Sequence, residues 1–379
     1  MSSGIRNLPF SEEALARALR PLAEAATLPS EAFTSDVVYA REVETAFRGQ
    51  WLCVGREDQV ASAGDFLCVD LLGERLVVVR GKDDEIRVLS RICRHRGAEL
   101  IAGRGSTRSF SCPYHAWTYH LDGQLGGAPQ MEGVASFDRA DFGLTHFKSS
   151  SWEGFLFVNL DGKAAPLGES LAPLSDFISH YGIAGKKSYE TATFESPFNW
   201  KVLVDNFMEA YHHIATHRNT LQPTLPGERS WTPDNEGPYS ILVMPGKDAP
   251  DARDKPDGSD PAMLLACVVY PFHLFAVSEH STVWYQLFPR AHDDFTLKIF
   301  ACFSDDDHES ASREELVEMT GKILTAIHLE DIDACEATWA GLNTPTYSQG
   351  RLSLLEKTIW QFNQWWAEKV IGSSGEAGE

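Results

Sequence analysis

The spacing of hydrophobic and polar positions changes along the chain and predicts three kinds of structure. Residues 11–26 and 35–49 have helical spacing, and the first begins at Ser11, a suitable N-cap residue. Pro21 should kink or divide that first helix. From Trp51 to about residue 160 the apolar positions fall in short runs broken by Gly and Asp: FLCVDLL, RLVVVRG, EIRVLS, SFSCPY, WTYHLDG and FLFVNLDG. Many short strands with turns between them predict an antiparallel β domain.

The second half of the chain mixes strands with longer helices. After a junction at 163–173, the strand-like run TATFESPFN leads into a helix predicted over 199–213. Helices are also predicted over 308–337 and 350–371, and four further runs resemble strands: MLLACVVY, HLFAVS, STVWYQLF and FTLKIFACF. These elements predict an α+β fold for this half. Residues 222–259 are polar and rich in Pro and Gly, which fits either a mobile loop over a site entrance or a plain surface insertion.

The predicted organisation is therefore a helical segment (1–48), a β domain (49–162) and an α+β domain (163–379). At 379 residues the chain is long enough for two domains. Neither an internal repeat nor a low-complexity region is evident.

Composition and charge exclude several classes of protein. The chain is 43% hydrophobic, and no apolar run approaches the ~20 residues of a membrane-spanning helix. A net charge of −21 argues against nucleic-acid binding, because the phosphates would be repelled. The first twenty residues lack the apolar core of a signal peptide, and the seven cysteines are odd in number and scattered. We therefore expect a cytoplasmic protein without disulfides.

Two cysteines and two histidines form the most informative pattern. They lie in Cys93-Arg-His95 and Cys112-Pro-Tyr-His115. Rieske [2Fe–2S] clusters take two Cys ligands on one iron and two His ligands on the other. A Cys2His2 zinc site is the alternative, but such a site usually draws both thiolates from one knuckle and both imidazoles from another. Here each knuckle carries one of each, which favours the Rieske cluster.

The stretches RICRHRGAEL and SCPYHAWTYHLDG resemble the Rieske domain in the large subunits of Rieske non-haem iron oxygenases. The resemblance extends over roughly residues 35–370 and implies a Rieske β domain followed by a helix-grip catalytic domain. It departs at Arg91, where the family often has Asn, and at Arg94, where it often has Pro. Both residues flank ligands, so a change in cluster potential or in partner docking is the expected consequence.

A second group of candidate ligands lies between Asp205 and His217. Three imidazoles and two carboxylates fall within thirteen residues. Two His and one carboxylate with open positions bind the non-haem Fe(II) that activates O2. On a regular helix His213 and His217 share a face, whereas His212 and His217 are about 140° apart. Helical geometry alone therefore favours His213 with His217.

The resemblance assigns roles that spacing does not. It maps the iron ligands to His212, His217 and Asp331, so the helix must end or bulge between the two histidines. Glu209 should hydrogen-bond His212. The resemblance also implies that Glu209 contacts the cluster ligand His115 of a neighbouring subunit. Such contacts imply a head-to-tail ring of subunits, usually a homotrimer.

Asp205 lies one turn before Glu209 and is expected to support it or to line this connection. Membership of a surface network is the alternative.

The expected function is that of the oxygenase component of a multicomponent enzyme using O2. No G-x-G-x-x-G fingerprint is present, so NAD(P)H electrons should come from a separate reductase, possibly through a ferredoxin. The substrate is a small molecule, either a quaternary ammonium compound or an aromatic ring. Six aromatic residues are candidates for lining its pocket: Tyr270, Phe272, Phe275, Trp284, Tyr285 and Phe288. A Rieske electron carrier with a ligand-binding second domain is the alternative function.

Overall fold

The computed structural model describes residues 8–249, 263–279, 281–305 and 312–372. The chain divides into two compact units. One is Trp51–Ala164, called here the cluster unit, and the other combines Met1–Gln50 with Ala165–Glu379 and is called the catalytic unit. The N-terminal helical segment thus belongs to the same compact unit as the C-terminal half and does not stand apart.

The N-terminal segment contains three short helices: α1 (Glu12–Ala18), α2 (Glu31–Thr34) and α3 (Asp36–Glu42). The side chain of Ser11 caps α1 by accepting the backbone N–H of Ala14 at 3.1 Å. Pro21 follows the end of α1 and precedes a 3-10 turn, so the helix predicted over 11–26 is divided as expected. A π turn over Val43–Phe47 continues α3 towards the first strand.

The cluster unit contains ten antiparallel strands: β1 (Trp51–Arg56), β2 (Asp65–Leu71), β3 (Glu74–Arg80), β4 (Ile86–Ser90), β5 (Arg104–Ser106), β6 (Phe110–Ser111), β7 (Thr118–Tyr119), β8 (Leu125–Gly127), β9 (His146–Trp152) and β10 (Phe155–Asn159). Seven form one sheet in the order β1-β10-β9-β4-β3-β2-β5, and β6-β7-β8 form a smaller one. The predicted antiparallel β domain is confirmed.

A hydrophobic core supports the loops of the cluster unit that carry the metal-binding motifs. Val77 and Leu89 from the large sheet pack with Phe110 from the small one. The thiols Cys93 and Cys112 belong to the same buried cluster. Because the side chains beneath them are close-packed, the two loops have a fixed base.

Among its described residues, the catalytic unit adds four helices and six strands to the N-terminal segment: α4 (Leu167–Ile178), β11 (Lys187–Ser196), α5 (Trp200–Phe207), β12 (Tyr239–Pro245), β13 (Met263–Val269), β14 (His273–Val277), β15 (Thr282–Ala291), β16 (Asp294–Phe303), α6 (Arg313–Leu342) and α7 (Lys357–Ile371). The strands form an antiparallel sheet in the order β11-β16-β15-β14-β13-β12. The long helix α6 packs against β11, β16 and α5, and α7 packs against β12. This arrangement confirms the predicted α+β fold.

Three predicted boundaries are corrected by the structure. The helix predicted over 199–213 ends at Phe207 and is followed by an irregular segment. The segment 222–259 is not one long loop, because it contains the fully buried strand β12, formed by the apolar run YSILVMP, which was not predicted as a strand. Its residues 250–259 lie outside the described residues. Ser312 caps α6, so the described helix begins at Arg313 and continues five residues beyond the predicted end at 337.

Within the part of the chain that the structure describes, no helix combines the length and the apolar character needed to cross a membrane. All seven cysteines are free thiols, and six of them are buried.

Candidate metal centres

The first predicted centre is built on a tight loop that begins at Cys93. The backbone N–H of Gly97 donates to the Cys93 carbonyl at 3.0 Å, and the Cys93 N–H donates to the Ala98 carbonyl at 2.8 Å. Gly97 has a φ of 76°, a left-handed conformation that glycine adopts without strain. This turn places Cys93 at the base of the loop and His95 at its exposed tip.

A second loop repeats the same backbone pattern from Cys112. The N–H of Ala116 donates to the Cys112 carbonyl at 3.0 Å, and the Cys112 N–H donates to the Trp117 carbonyl at 2.7 Å. Ala116 also has a positive φ, of 56°. The Cys-x-His and Cys-x-x-His motifs therefore lie on two loops that share the same backbone hydrogen-bond pattern.

The four candidate ligands meet between these two loops. The thiols are buried, with Cys93 3% and Cys112 4% exposed, whereas both imidazoles are exposed. The rings of His95 and His115 lie 4.7 Å apart, and His95 stacks on Trp117 with an interplanar angle of 7°. A buried sulfur pair below an exposed nitrogen pair fits a two-iron cluster with sulfur ligands on one iron and nitrogen ligands on the other.

Hydrogen-bond donors surround both sulfur atoms. Burial would raise the pKa of Cys112, but the N–H groups of Tyr114 and His115 and the Cys93 thiol outweigh burial and lower it. The hydroxyl of Tyr119 lies 3.3 Å from Cys93 Sγ and accepts the Arg94 N–H at 3.0 Å. In the thiolate form that binds iron, Cys93 has no proton, so the Tyr119 hydroxyl would be the donor to the sulfur. Such donors stabilise the thiolates that a cluster requires.

Arg91 is a buried structural residue of the cluster unit. Its guanidinium donates to Glu99 and to Asp70 at 2.6 Å each, and to the Leu76 carbonyl at 3.1 Å. These hydrogen bonds attach the residues that precede Cys93 to strands β2 and β3. The departure from the Asn that the family often has at this position therefore has a structural role.

The second predicted centre brings together His212, His217 and Asp331. One candidate ligand atom from each lies within 4.8 Å of the others, and no other such group of three occurs among the described residues. Asp331 Oδ1 lies 2.8 Å from His217 Nε2 and 3.5 Å from His212 Nε2. Since α5 ends at Phe207 and a 3-10 turn covers Tyr211–Ile214, the regular-helix argument for His213 does not apply.

A second carboxylate holds the outer nitrogen of each histidine. Glu209 Oε1 lies 2.6 Å from His212 Nδ1, so the predicted hydrogen bond is present. Glu330 Oε2 lies 2.7 Å from His217 Nδ1 and also accepts the Thr220 hydroxyl at 2.6 Å. The role of Glu330 was not predicted, because nothing in the sequence distinguishes it from the other acidic residues of α6. Carboxylates in this position fix the ring and direct Nε2 towards a metal.

His213 lies next to this group but outside it. It is 3% exposed and donates from Nδ1 to the Leu225 carbonyl at 2.9 Å. Burial lowers its pKa to about 4, so the ring is neutral. Its hydrogen bond gives it a structural role in holding the segment that follows α5.

The charges of the three converging residues suit a cation. Burial lowers the pKa of His212, but hydrogen bonds with Asp331 and Glu209 outweigh burial and raise it to about 9. Burial would raise the pKa of Asp331, yet the hydrogen bonds from His212 and His217 hold it well below its usual range. Without a metal the site therefore favours protons on its imidazoles, and a bound metal replaces those protons. Two nitrogens and one carboxylate fit the facial triad of non-haem Fe(II).

Asp205 does not hydrogen-bond Glu209 through its Oδ1 atom, which is buried and has no partner among the described residues. Burial raises the pKa of Asp205 to about 8. That pKa includes the lowering effect of Lys201 and the smaller raising effects of Glu356 and Glu209. The residue lines a cavity beside Glu209.

Of the six aromatic pocket candidates, Tyr285 is close enough to the metal centre for the charge of Asp331 to affect it. Its pKa is raised by burial and by the Asp331 charge, and its ring lies 5.3 Å from Phe207. Tyr270 packs on Phe362 and Trp365 of α7. Phe272, Phe275 and Trp284 pack on other rings of the unit, as core residues do. Phe288 is partly buried.

Together the fold and the two sites define an iron oxygenase of the Rieske type, with a cluster on one unit and a mononuclear metal site on the other. Comparison with known families agrees. Residues 50–138 match the Rieske [2Fe-2S] domain. Residues 181–372, more than half of the chain, match the ring hydroxylating alpha subunit (catalytic domain). The chain belongs to the family of Rieske oxygenase alpha subunits.

Its relatives include oxygenase subunits that are named for quaternary ammonium compounds. The carnitine monooxygenase oxygenase subunit of Acinetobacter baumannii is 29% identical over 333 residues, which is 86% of this chain and 88% of that protein. The glycine betaine monooxygenase oxygenase subunit of Chromohalobacter salexigens is 31% identical over 237 residues, 62% of this chain and 53% of that protein.

Solved structures show the same architecture. The quaternary ammonium Rieske monooxygenase CntA in complex with L-carnitine has a TM-score of 0.78 and 26% identity, covering 95% of this chain and 99% of its own. Naphthalene 1,2-dioxygenase from Rhodococcus sp. has a TM-score of 0.80 at 18% identity, covering 96% of this chain and 99% of its own, and shares the fold. The protein is therefore an oxygen-incorporating oxidoreductase with a Rieske cluster and a mononuclear iron.

Proposed function

We propose that this chain is the terminal oxygenase component of a multicomponent system and oxidises a small quaternary ammonium compound. A separate reductase, with or without a ferredoxin, supplies electrons from NAD(P)H. The observation that carries the proposal is the convergence of two histidines and one aspartate within 4.8 Å, in a chain whose other unit holds the Cys2His2 loop pair.

The residues that would hold the two groups are distinct. Four residues would hold the cluster: Cys93, His95, Cys112 and His115. Three would hold the iron: His212, His217 and Asp331. When bound, the cluster supplies single electrons and the iron activates O2.

The chain itself contributes orientation and charge. Glu209 and Glu330 hold the Nδ1 atoms of His212 and His217, so that both Nε2 lone pairs face the metal position. Asp331 stays ionised over the whole physiological range because its pKa is held low. The remaining coordination positions stay open, since the described residues bring only one carboxylate to the group.

A homotrimer with head-to-tail contacts fits the exposed position of the two candidate cluster histidines, His95 and His115. His115 is exposed on the cluster unit, and Glu209 lies 9% exposed on the catalytic unit. Glu209 uses one oxygen for His212 Nδ1 and the other for the His212 backbone N–H. A carboxylate oxygen accepts more than one hydrogen bond, so Glu209 has capacity for His115 of a second copy.

Two observations favour a quaternary ammonium substrate over an aromatic one. The relatives named above at 29% and 31% identity are carnitine and glycine betaine monooxygenases, whereas the naphthalene dioxygenase shares 18%. In addition, the Tyr285 ring is close enough to Asp331 for its charge to affect the tyrosine, and it lies 5.3 Å from the Phe207 ring. Aromatic faces attract quaternary ammonium groups through cation–π interactions.

The test is oxygenation of a substrate panel by the iron-loaded protein with a chemical reductant. The panel contains L-carnitine, γ-butyrobetaine, glycine betaine, choline, naphthalene and indole, and mass spectrometry follows incorporation of label from ¹⁸O2. We expect label in the product of at least one quaternary ammonium compound and none with His217→Ala. Label only in products of naphthalene or indole would make the protein an aromatic-ring oxygenase instead.

A further inference from the structure

A cavity of about 530 Å³ opens beside Glu209 and His212 on the catalytic unit. Its walls come from α5, α6, α7 and the N-terminal segment. Its large apolar lining residues include Leu28, Phe33, Leu342, Leu352 and Ile359. Asp205, Glu356 and Asn363 provide polar groups, and we call this space the acidic cavity.

Asn363 lines the acidic cavity, and its side-chain amide has no hydrogen-bond partner among the described residues. The residue is 1% exposed, yet neither its Oδ1 nor its Nδ2 makes a hydrogen bond to any described residue. Asp205 Oδ1 is buried and unpartnered in the same way. Buried polar groups almost always have partners, because leaving them unpaired costs free energy. Two such side chains on one cavity indicate that a ligand completes them.

The charge around the cavity calls for a cation. Three carboxylates line it, and Glu209 is engaged with His212. Lys201 is the nearest buried cation on α5, but its ammonium is held by Glu42 at 2.6 Å. A guanidinium fits best, because its fork of donors matches carboxylate and amide oxygens while its apolar stem packs on apolar walls.

The cluster unit has exposed arginine guanidinium groups next to its exposed histidines. Arg94 and Arg96 flank His95, and both are exposed. The Arg96 guanidinium lies over the Tyr114 ring at 5.0 Å. The Arg94 guanidinium has no partner among the residues that the structure describes.

Exposed apolar side chains lie near the cluster histidines on one unit and near the acidic cavity on the other. Tyr114, 57% exposed, adjoins the cluster ligand His115, and Tyr211, 48% exposed, adjoins His212. Leu354, 69% exposed, precedes Glu356 of the acidic cavity by two residues. Exposed apolar groups beside complementary charges are features of an interface between proteins.

We propose that Arg94 of a second copy inserts into the acidic cavity and donates to Asp205 and Asn363. The inference rests on the head-to-tail contact of the proposed function and names the residue that anchors it. Asp205 is then a docking residue that holds the neighbouring cluster unit beside Glu209.

The test is a double-mutant cycle on self-association, measured by sedimentation over a dilution series. Arg94→Ala and Asp205→Asn are each expected to weaken association about tenfold or more. The double variant should be no weaker than the worse single variant, because the two residues make one contact. Arg108→Ala removes another exposed arginine of the same unit and should associate like the wild type.

A second variant separates docking from folding. Asn363→Leu removes an amide that has no partner in the single chain, so the thermal midpoint of the dilute protein should stay the same or rise. Association should nevertheless weaken, as with Arg94→Ala. Unchanged association of either variant, or additive effects in the cycle, would overturn the proposal. Iron content and turnover of the wild-type protein test the proposed function separately.

Discussion

At the scale of single residues, the mononuclear centre depends on carboxylates that do not bind the metal. His212 and His217 each have their Nδ1 atom held by a glutamate, at 2.6 and 2.7 Å. Glu209 could be predicted, since it precedes its histidine by one turn. Glu330 could not, because it reaches His217 across 113 residues and only the packing of α6 against α5 brings them together.

Glu330→Ala should weaken iron binding by roughly 10- to 100-fold, because His217 loses the partner that orients its ring. Iron titration of the metal-free protein measures the change. Asp333→Asn is the matched control, since Asp333 is an exposed acidic residue of the same helix and should bind iron normally. Equal affinity of Glu330→Ala and wild type would contradict this role.

The choice between His212 and His213 also belongs to this scale. Helical spacing pointed to His213, and the family resemblance pointed to His212. The structure brings His212 together with His217 and Asp331 because α5 ends before either histidine. Spacing failed here since it assumed a helix that the chain does not form.

His217→Ala should lose the mononuclear iron and keep the cluster absorbance, whereas His213→Ala should keep both. The second variant removes a hydrogen bond to Leu225 and leaves a cavity, so its thermal midpoint should fall. Metal analysis and visible spectra of the two variants measure these effects. Loss of iron from His213→Ala alone would reverse the ligand assignment.

Tyr119 is a third residue with a measurable role. Its hydroxyl lies 3.3 Å from Cys93 Sγ, and hydrogen bonds to cluster sulfurs raise the reduction potential. Tyr119→Phe should therefore lower the midpoint potential of the cluster without removing it. Tyr114→Phe is the control, because Tyr114 is exposed. A potential that is unchanged in Tyr119→Phe would show that the hydroxyl does not reach the sulfur.

At the scale of elements, one buried ion pair joins α3, α5 and α7. Lys201 donates to Glu42 at 2.6 Å, and both side chains are almost completely buried. Glu42 also accepts the indole N–H groups of Trp200 at 3.2 Å and Trp366 at 2.6 Å. This network attaches the N-terminal segment to the helix that precedes the candidate iron ligands His212 and His217. The sequence did not predict it, because the partners are more than 150 residues apart.

Lys201→Met should destabilise the catalytic unit by about 3 kcal/mol or more, since it leaves the Glu42 charge buried without its cation. Adding Glu42→Gln should recover part of the loss, because it removes the unpaired buried charge, although the single amide oxygen of glutamine can replace only one of the two carboxylate oxygens that accept the indole N–H groups. Denaturant unfolding followed by tryptophan fluorescence measures the differences. The cluster absorbance at low denaturant serves as a control on the other unit. A double variant less stable than Lys201→Met would contradict the account.

The strand patterns carried most of the element-level information. Runs such as RLVVVRG and FLFVNLDG correspond to β3 and β10, because alternation and turn residues are local signals. The strand β12 was missed, since its short apolar run lies inside a segment that is otherwise polar and rich in Pro and Gly. The polar composition of residues 222–259 as a whole therefore predicted a loop where a seven-residue buried strand is present.

At the scale of the whole molecule, two compact units carry two different metal-binding chemistries. The order of the units and their motifs could be predicted from the sequence. That Met1–Gln50 belongs with Ala165–Glu379 could not, because it depends on contacts between distant parts of the chain. A single chain that binds both a cluster and a separate iron is the central claim.

Metal and sulfide analysis of anaerobically purified protein, together with a visible spectrum, tests this claim most directly. We expect about three irons and about two acid-labile sulfides per chain, with the red-brown colour of a Rieske cluster. About two irons, with no further iron bound when Fe(II) is added, would show that the second group of ligands is not an iron site. Zinc without colour would contradict both centres.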